Sequence, residues 1–129
     1  MNFDEFVKKV RGRAELSGME AVNAIRATLM TLGERLYGGE PGHLAAQLPH
    51  EFTNYLTIPE ADRDYSLEEF YQRVAELDGV DYDLAVRNAK AVIQTVVEAV
   101  SVGEIEDVAS QLPDEYNQLI TINREAHQE

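Results

Sequence analysis

The sequence feature that most constrains the fold is an internal repeat at an offset of 64 residues. The tripeptide Gln47-Leu48-Pro49 recurs as Gln111-Leu112-Pro113, and 17 of the 65 pairs aligned in this register are identical. Many other pairs keep their apolar character, such as Leu29 with Ile93. Because a repeated sequence indicates a repeated structural unit, we expect both halves of the chain to share one fold.

Hydrophobic periodicity predicts that each half is helical. Asn2 and Ser66 are each followed three residues later by glutamate, which is the spacing of a capping box at a helix start. A second, longer helix is expected to begin near Ser17 and near Asp81, with apolar residues at three- and four-residue intervals. The β-branched residues of 84–100 favour a strand, but the matching stretch contains few of them, so both are predicted to be helices.

Glycine and proline predict where these helices end. Gly38-Gly39 and Gly103 are expected to end the long helices, since glycine often follows a helix C-terminus. Short helices are predicted over 42–48 and 104–112. Pro49 and Pro113 then lie at the first turn of a last helix, where proline is tolerated.

The predicted architecture is therefore all-α, with a duplicated four-helix repeat and eight helices in total. The two repeats are expected to pack about a pseudo-twofold axis on one shared core. The predicted organisation is listed in chain order: repeat 1 over 1–58, a linker over 59–65, repeat 2 over 66–122 and a tail over 123–129.

Composition and charge narrow the classes of ligand. The absence of cysteine excludes disulfides, thiolate zinc sites and cysteine nucleophiles. A net charge of −13 disfavours nucleic acids and anionic membranes, which attract basic surfaces. The first residues are acidic where a signal peptide is basic, and no apolar run approaches the ~20 residues of a membrane span. A cytoplasmic protein is therefore expected.

The most specific sequence pattern is Gly-Glu, a short amphipathic helix, and then Gln-Leu-Pro-x-Glu-Phe/Tyr. It occurs at 39–52 and again at 103–116. The chain resembles in this respect the bacterial family catalogued as domain of unknown function 2267, with a match in both halves. The resemblance implies an all-helical duplicated domain. It implies no known activity, cofactor or catalytic residue.

Histidine and glutamate near the end of the first repeat suggest a metal site. Glu40 and His43 have the Glu-x-x-His spacing of metal sites in helical bundles, and His50 and Glu51 follow closely. The intervening proline and glycine make this stretch a poor helix interior. A solvated surface is the favoured interpretation, so no metal or other cofactor is predicted.

Two pairs of equivalent polar residues flank the prolines. Glu51 and Glu115 could perform acid–base chemistry if they were buried together, but acids in a first helical turn also interact favourably with the helix dipole, and we favour that structural role. A buried glutamine side chain could cap backbone groups where the two short helices meet. The residues assigned to these helix junctions are Gln47, Pro49, Gln111 and Pro113.

The first helix carries a basic cluster of four residues: Lys8, Lys9, Arg11 and Arg13. Helical spacing places them on roughly one side, away from the apolar stripe. This cluster could bind an acidic partner or a phosphate. It could equally contact residues 65–129, which hold fourteen acids and four bases, or it could be a solvated face.

The sequence contains no catalytic or phosphate-binding motif, so the favoured function is a non-enzymatic protein-interaction or scaffold module. Its partner surface would be the basic cluster or the corners near Pro49 and Pro113, and its oligomeric state stays open. One alternative is a carrier of a small apolar ligand in a cavity lined by Phe6, Leu29, Phe70 and Ile93. A second is an enzyme or metal protein that uses Glu51 with Glu115, or His43 with His50.

Overall fold

The computed structural model describes residues 1–58 and 63–121, and this part of the chain is all-helical, as predicted. Its α-helices are α1 (Phe3–Ala14), α2 (Gly18–Arg35), α3 (Glu40–Gln47), α4 (Thr53–Leu56), α5 (Leu67–Asp78), α6 (Tyr82–Ala99) and α7 (Val102–Ser110). Two 3₁₀ segments, His50–Phe52 and Asp114–Gln118, follow the two prolines. The prediction of eight helices is wrong, because the segment after Pro113 is a 3₁₀ segment only.

The predicted starts of α1, α2, α5 and α6 are confirmed, whereas the short helices α3 and α7 each begin two residues earlier than predicted. The Asn2 side chain accepts a hydrogen bond from the Glu5 backbone N at 2.9 Å, and Glu5 reaches back to the Asn2 N. The same capping box begins α5 at Ser66 and α2 at Ser17. The Asp81 side chain accepts from the Leu84 N at the start of α6, which is helical despite its β-branched residues.

The predicted end of the second long helix at Gly103 is wrong. The α6 helix already ends at Ala99, and Gly103 lies inside α7. The Ser101 hydroxyl accepts a hydrogen bond from the Glu104 N at 3.1 Å, so the helix starts ahead of the glycine. Gly38 does follow the first long helix, with a φ of 63° that glycine adopts at little cost.

One continuous hydrophobic core joins the first half of the chain (residues 1–64) to the second half (residues 65–129). The α1 helix packs on both long helices, α2 and α6, and α5 also packs on both. Phe6 of α1 and Phe70 of α5 are fully buried between them. Neither half therefore encloses its apolar residues by itself.

A close approach of two backbones holds α4 against α2. A Cβ atom built on Gly33 would lie 2.9 Å from the carbonyl carbon of Leu56 and closer still to its oxygen. Only glycine allows this contact. The residue 64 positions later is Val97, and the second half has no α-helix in the place that corresponds to α4.

Some sequence predictions fall partly outside the described residues. The predicted linker includes residues 59–62, and the predicted tail lies wholly within 122–129. Within 1–58 and 63–121, no helix has the length and hydropathy needed to cross a membrane.

Candidate functional site

The outward face of α1 carries a shallow groove of about 420 Å³. Its lining residues are spaced three and four apart along one side of the helix: Glu5, Lys8, Lys9, Gly12 and Arg13. The walls are mostly apolar, because long basic side chains lay their methylene stems along such a surface and keep their charges in water. This surface, called the α1 groove below, combines an apolar floor with cationic edges.

Gly12 lines the floor of the α1 groove, although nothing in residues 1–58 and 63–121 requires glycine there. A Cβ atom at this position would meet no other atom within 4 Å, and the residue does not have a positive φ. Glycine inside a helix costs about 0.5–1 kcal/mol relative to alanine. The chain therefore carries a residue of low helix propensity at a position where a side chain would extend into the groove.

Two residues of the basic cluster form ion pairs with α6, and the other two face solvent. Lys9 Nζ lies 3.5 Å from Glu98 Oε1 on α6, and Arg13 Nη2 lies 2.6 Å from Glu98 Oε2. Burial acts to raise the pKa of Glu98, but these cations lower it below its ordinary value. Lys8 and Arg11 are exposed, and Lys8 has no ion-pair partner in the part of the chain that the structure describes.

A pair of buried carboxyls lies where α3 packs on α7. Glu40 and Glu104 are each only 7% exposed, and one oxygen of each, Glu40 Oε1 and Glu104 Oε2, is buried without a hydrogen-bond donor. Burial, hydrogen bonding with Glu40 and repulsion from Glu40 and Asp107 raise the pKa of Glu104 to about 8. Two ionised carboxylates have no donor between them, so a hydrogen bond between Glu40 and Glu104 would require a proton on one of the pair.

The carboxyl pair considered from the sequence is a different one. Glu51 and Glu115 are both exposed, so the burial that acid–base chemistry would require is missing. The buried pair, Glu40 and Glu104, is also related by the 64-residue offset. Identity at equivalent positions was visible in the sequence, but the contact between α3 and α7 that brings these two residues together was not.

The two histidines that the sequence places near Glu40 lie at the surface. The His43 and His50 side chains are 72% and 92% exposed. His43 Nδ1 lies 3.9 Å from Glu40 Oε2, whereas His50 Nδ1 lies 3.5 Å from Glu51 Oε1. Across residues 1–58 and 63–121, no three or more His, Cys, Asp or Glu residues are grouped so that they could hold a metal ion.

The two equivalent glutamines connect the halves. Gln47 Oε1 accepts a hydrogen bond from the Ser101 N at 2.8 Å, and Gln111 Oε1 accepts from the Tyr37 N at 2.9 Å. Gln111 Nε2 also donates to the Tyr37 carbonyl at 3.3 Å. Each glutamine thus binds the backbone just past the long helix of the other half. The expectation of burial is wrong for Gln47, whose side chain is exposed.

The two prolines lie at the starts of 3₁₀ segments, and the apolar residues that were predicted to line a ligand cavity lie in the packed core. Pro49 is buried and Pro113 is exposed, and each directly precedes a 3₁₀ segment. The apolar residues are packed in the continuous core and do not line the α1 groove: Phe6, Leu29, Phe70 and Ile93.

A known family matches most of the chain. The model of a family described as "Uncharacterized conserved protein (DUF2267)" matches residues 3–119, from the start of α1 to just past the second 3₁₀ segment. No curated protein matches the chain.

Proposed function

This chain belongs to the uncharacterized conserved family DUF2267, and we propose that it is a non-enzymatic module that binds another protein through the α1 groove. The observation that carries the proposal is Gly12, which leaves the groove open at a cost in helix stability and without a packing reason among the residues that the structure describes. We keep the cytoplasm as the proposed location of this interaction.

The chemistry of the groove defines the partner segment. An amphipathic segment fits best, with small apolar side chains over Gly12 and a carboxylate beside Lys8. Lys9 and Arg13 already bind Glu98, so Lys8 is the cation with the most to gain from a new partner. Since the whole chain carries a charge of −13, recognition depends on short-range fit rather than on long-range attraction of an acidic protein.

We further propose that the chain is a duplicated helical unit with a pseudo-twofold axis between its halves. The proposal is supported by equal offsets, because α5 begins and ends 64 residues after α1, and α6 does the same after α2. It is also supported by reciprocal ion pairs. Lys9 binds Glu98, and the residues 64 positions from each, Arg73 and Glu34, bind each other at 3.0 Å.

The binding proposal is tested by affinity pull-down from a lysate of the native host, in which the unmodified chain and its variants are compared as baits. The Lys8→Gln variant removes the free cation and installs the residue type found 64 positions later, at Gln72. The Gly12→Leu variant fills the groove floor without changing the charge. We expect a partner whose recovery falls about tenfold or more with either variant, equivalent to about 1.4 kcal/mol. Its recovery should also fall as salt rises.

The matched control is Gln72→Leu, on the exposed surface of α5, which should recover the partner as the unmodified chain does. A partner recovered equally by the unmodified chain and both α1 variants would contradict the proposal. The failure to recover any protein partner would contradict it as well.

A further inference from the structure

Within residues 1–58 and 63–121, no lysine or arginine forms an ion pair with Glu40 or Glu104. The segments 39–58 and 102–121, which contain α3, α4, α7 and both 3₁₀ segments, hold neither lysine nor arginine. The α7 helix adds only further acids, Glu106 and Asp107. Two ionised carboxylates in such a site would repel each other in a poorly solvated interior.

The other titratable groups near the pair do not replace the missing cation. On α3, His43 reaches 3.9 Å from Glu40 but is largely in water. The α4 helix contributes only Tyr55, and the preceding 3₁₀ segment contributes His50 and Glu51, which contact each other at the surface. Charge balance between α3 and α7 is therefore achieved most simply by one shared proton.

We propose that Glu40 and Glu104 form a proton-dependent latch between α3 and α7. The latch is closed while one carboxyl carries a proton and donates it to the other in a hydrogen bond. It opens when that proton leaves, because two buried negative charges then face each other across the helix contact. The positive ends of both helix dipoles favour one ionised carboxylate at these first turns but do not offset two.

Opening of the latch has a defined structural consequence. The α3–α7 contact lies beside the two glutamine hydrogen bonds, Gln47 to Ser101 and Gln111 to Tyr37, so separation of the helices breaks both. It also exposes the buried apolar faces of α3 and α7. The core formed by α1, α2, α5 and α6 stays closed, because these helices contact one another directly.

The test is hydrogen exchange of the full chain from pH 6.5 to 9.5, with EDTA present and with intrinsic exchange rates corrected. Protection of amides in residues 40–48 and 102–111 should fall by up to about tenfold per unit as pH rises towards 8, because opening then releases the shared proton, and it should level off above pH 8. Amides of α1 serve as the internal reference and should keep their protection. Constant protection of α3 and α7 over this range would overturn the proposal.

Two variants distinguish opening of the latch from a general loss of stability at alkaline pH. In Glu104→Gln the side-chain amide can donate to Glu40 at every pH, so protection of α3 and α7 should become independent of pH. Glu115→Gln changes an exposed carboxylate and should behave as the unmodified chain does. A pH-dependent loss of protection in Glu104→Gln equal to that of the unmodified chain would overturn the proposal.

Two further measurements use the unmodified chain and do not depend on the folding of a variant. Carboxyl ¹³C NMR should show one glutamate of the pair titrating near pH 8, and titration of both below pH 6 would overturn the latch. Exchange repeated with Mn²⁺ or Ca²⁺ at pH 9 should leave the helices unprotected. Restored protection with either ion would show that a cation rather than a proton balances the pair.

Discussion

Replacement of Gly33 by alanine is expected to destabilise the protein at the contact between α2 and α4. The added Cβ would lie 2.9 Å from the Leu56 carbonyl carbon and 3.0 Å from its Cα, and nearer still to the oxygen. All three atoms belong to the backbone, so no side-chain rotation can relieve the overlap. The α4 helix must therefore move away from α2, and Leu56, which is fully buried, must leave its place in the core.

The magnitude follows from two opposing effects. Overpacking of a well-packed interior costs about 1–3 kcal/mol. Removal of a glycine from a helix interior returns about 0.5–1 kcal/mol. Because the overlap involves rigid backbone, the cost should lie at the upper end of its range. The net loss in the free energy of unfolding should be about 2 kcal/mol.

Gly12→Ala is the matched control, since a Cβ there meets nothing within 4 Å. It should stabilise the chain by about 0.5–1 kcal/mol through the helix effect alone. Urea unfolding followed by far-UV circular dichroism measures both variants. Two kcal/mol corresponds to a midpoint lower by about 1 M, given slopes of about 1–3 kcal/mol per molar urea. A Gly33→Ala protein as stable as the Gly12→Ala protein would refute the proposed backbone contact.

Three further predictions concern the carboxyl pair and two hydrogen bonds between a side chain and the backbone. The folded chain holds a proton on Glu104 from its ordinary pKa of 4.5 up to about 8, so the stability that this neutral carboxyl contributes is complete below 4.5 and lost as pH rises through 8. Relative to Glu104→Gln, the free energy of unfolding should thus fall as pH rises from 4.5 to about 8, and a flat difference would contradict it. Tyr116→Phe should lower the free energy of unfolding by about 1–2 kcal/mol, because the Tyr116 hydroxyl donates a hydrogen bond to the Tyr65 carbonyl at 2.7 Å. The control is Tyr37→Phe, which changes a half-exposed side chain and should leave the free energy of unfolding almost unchanged in the same urea assay. Gln111→Ala should cost about 1 kcal/mol and lower the exchange protection of the Tyr37 amide, and unchanged protection there would contradict the assigned hydrogen bond.

The helical class was predictable because local signals and the repeat agreed. Capping boxes at Asn2, Ser17 and Ser66 are short-range patterns that depend on neighbouring residues alone. The β-branched residues of α6 pointed to a strand, and comparison with the other half corrected this local preference. Propensity gives way to packing in such a buried helix.

The sequence does contain a signal for the start of α7 ahead of Gly103. Ser101 precedes Glu104 by three residues, which is itself the spacing of a helix start. This cap begins α7 ahead of Gly103 and overrides the glycine as a helix end.

The carboxyl pair could not be found from the sequence for a different reason. The 64-residue offset relates Glu40 to Glu104 and Glu51 to Glu115 equally. Which of these pairs is buried depends on where α3 and α7 meet, a long-range property that periodicity does not encode. The sequence also contained no sign of a role for Gly12, because the role of an exposed helical glycine can be inferred only when the groove around it is known.

The first and second halves build a single core and should therefore fold together. Fluorotyrosine incorporated throughout the chain reports on both halves in one NMR titration with urea, since Tyr55 lies in the first half and Tyr71 in the second. Both residues pack against the continuous core. We predict that their folded-state signals disappear with the same midpoint and the same slope. Separate midpoints for Tyr55 and Tyr71 would contradict a shared core.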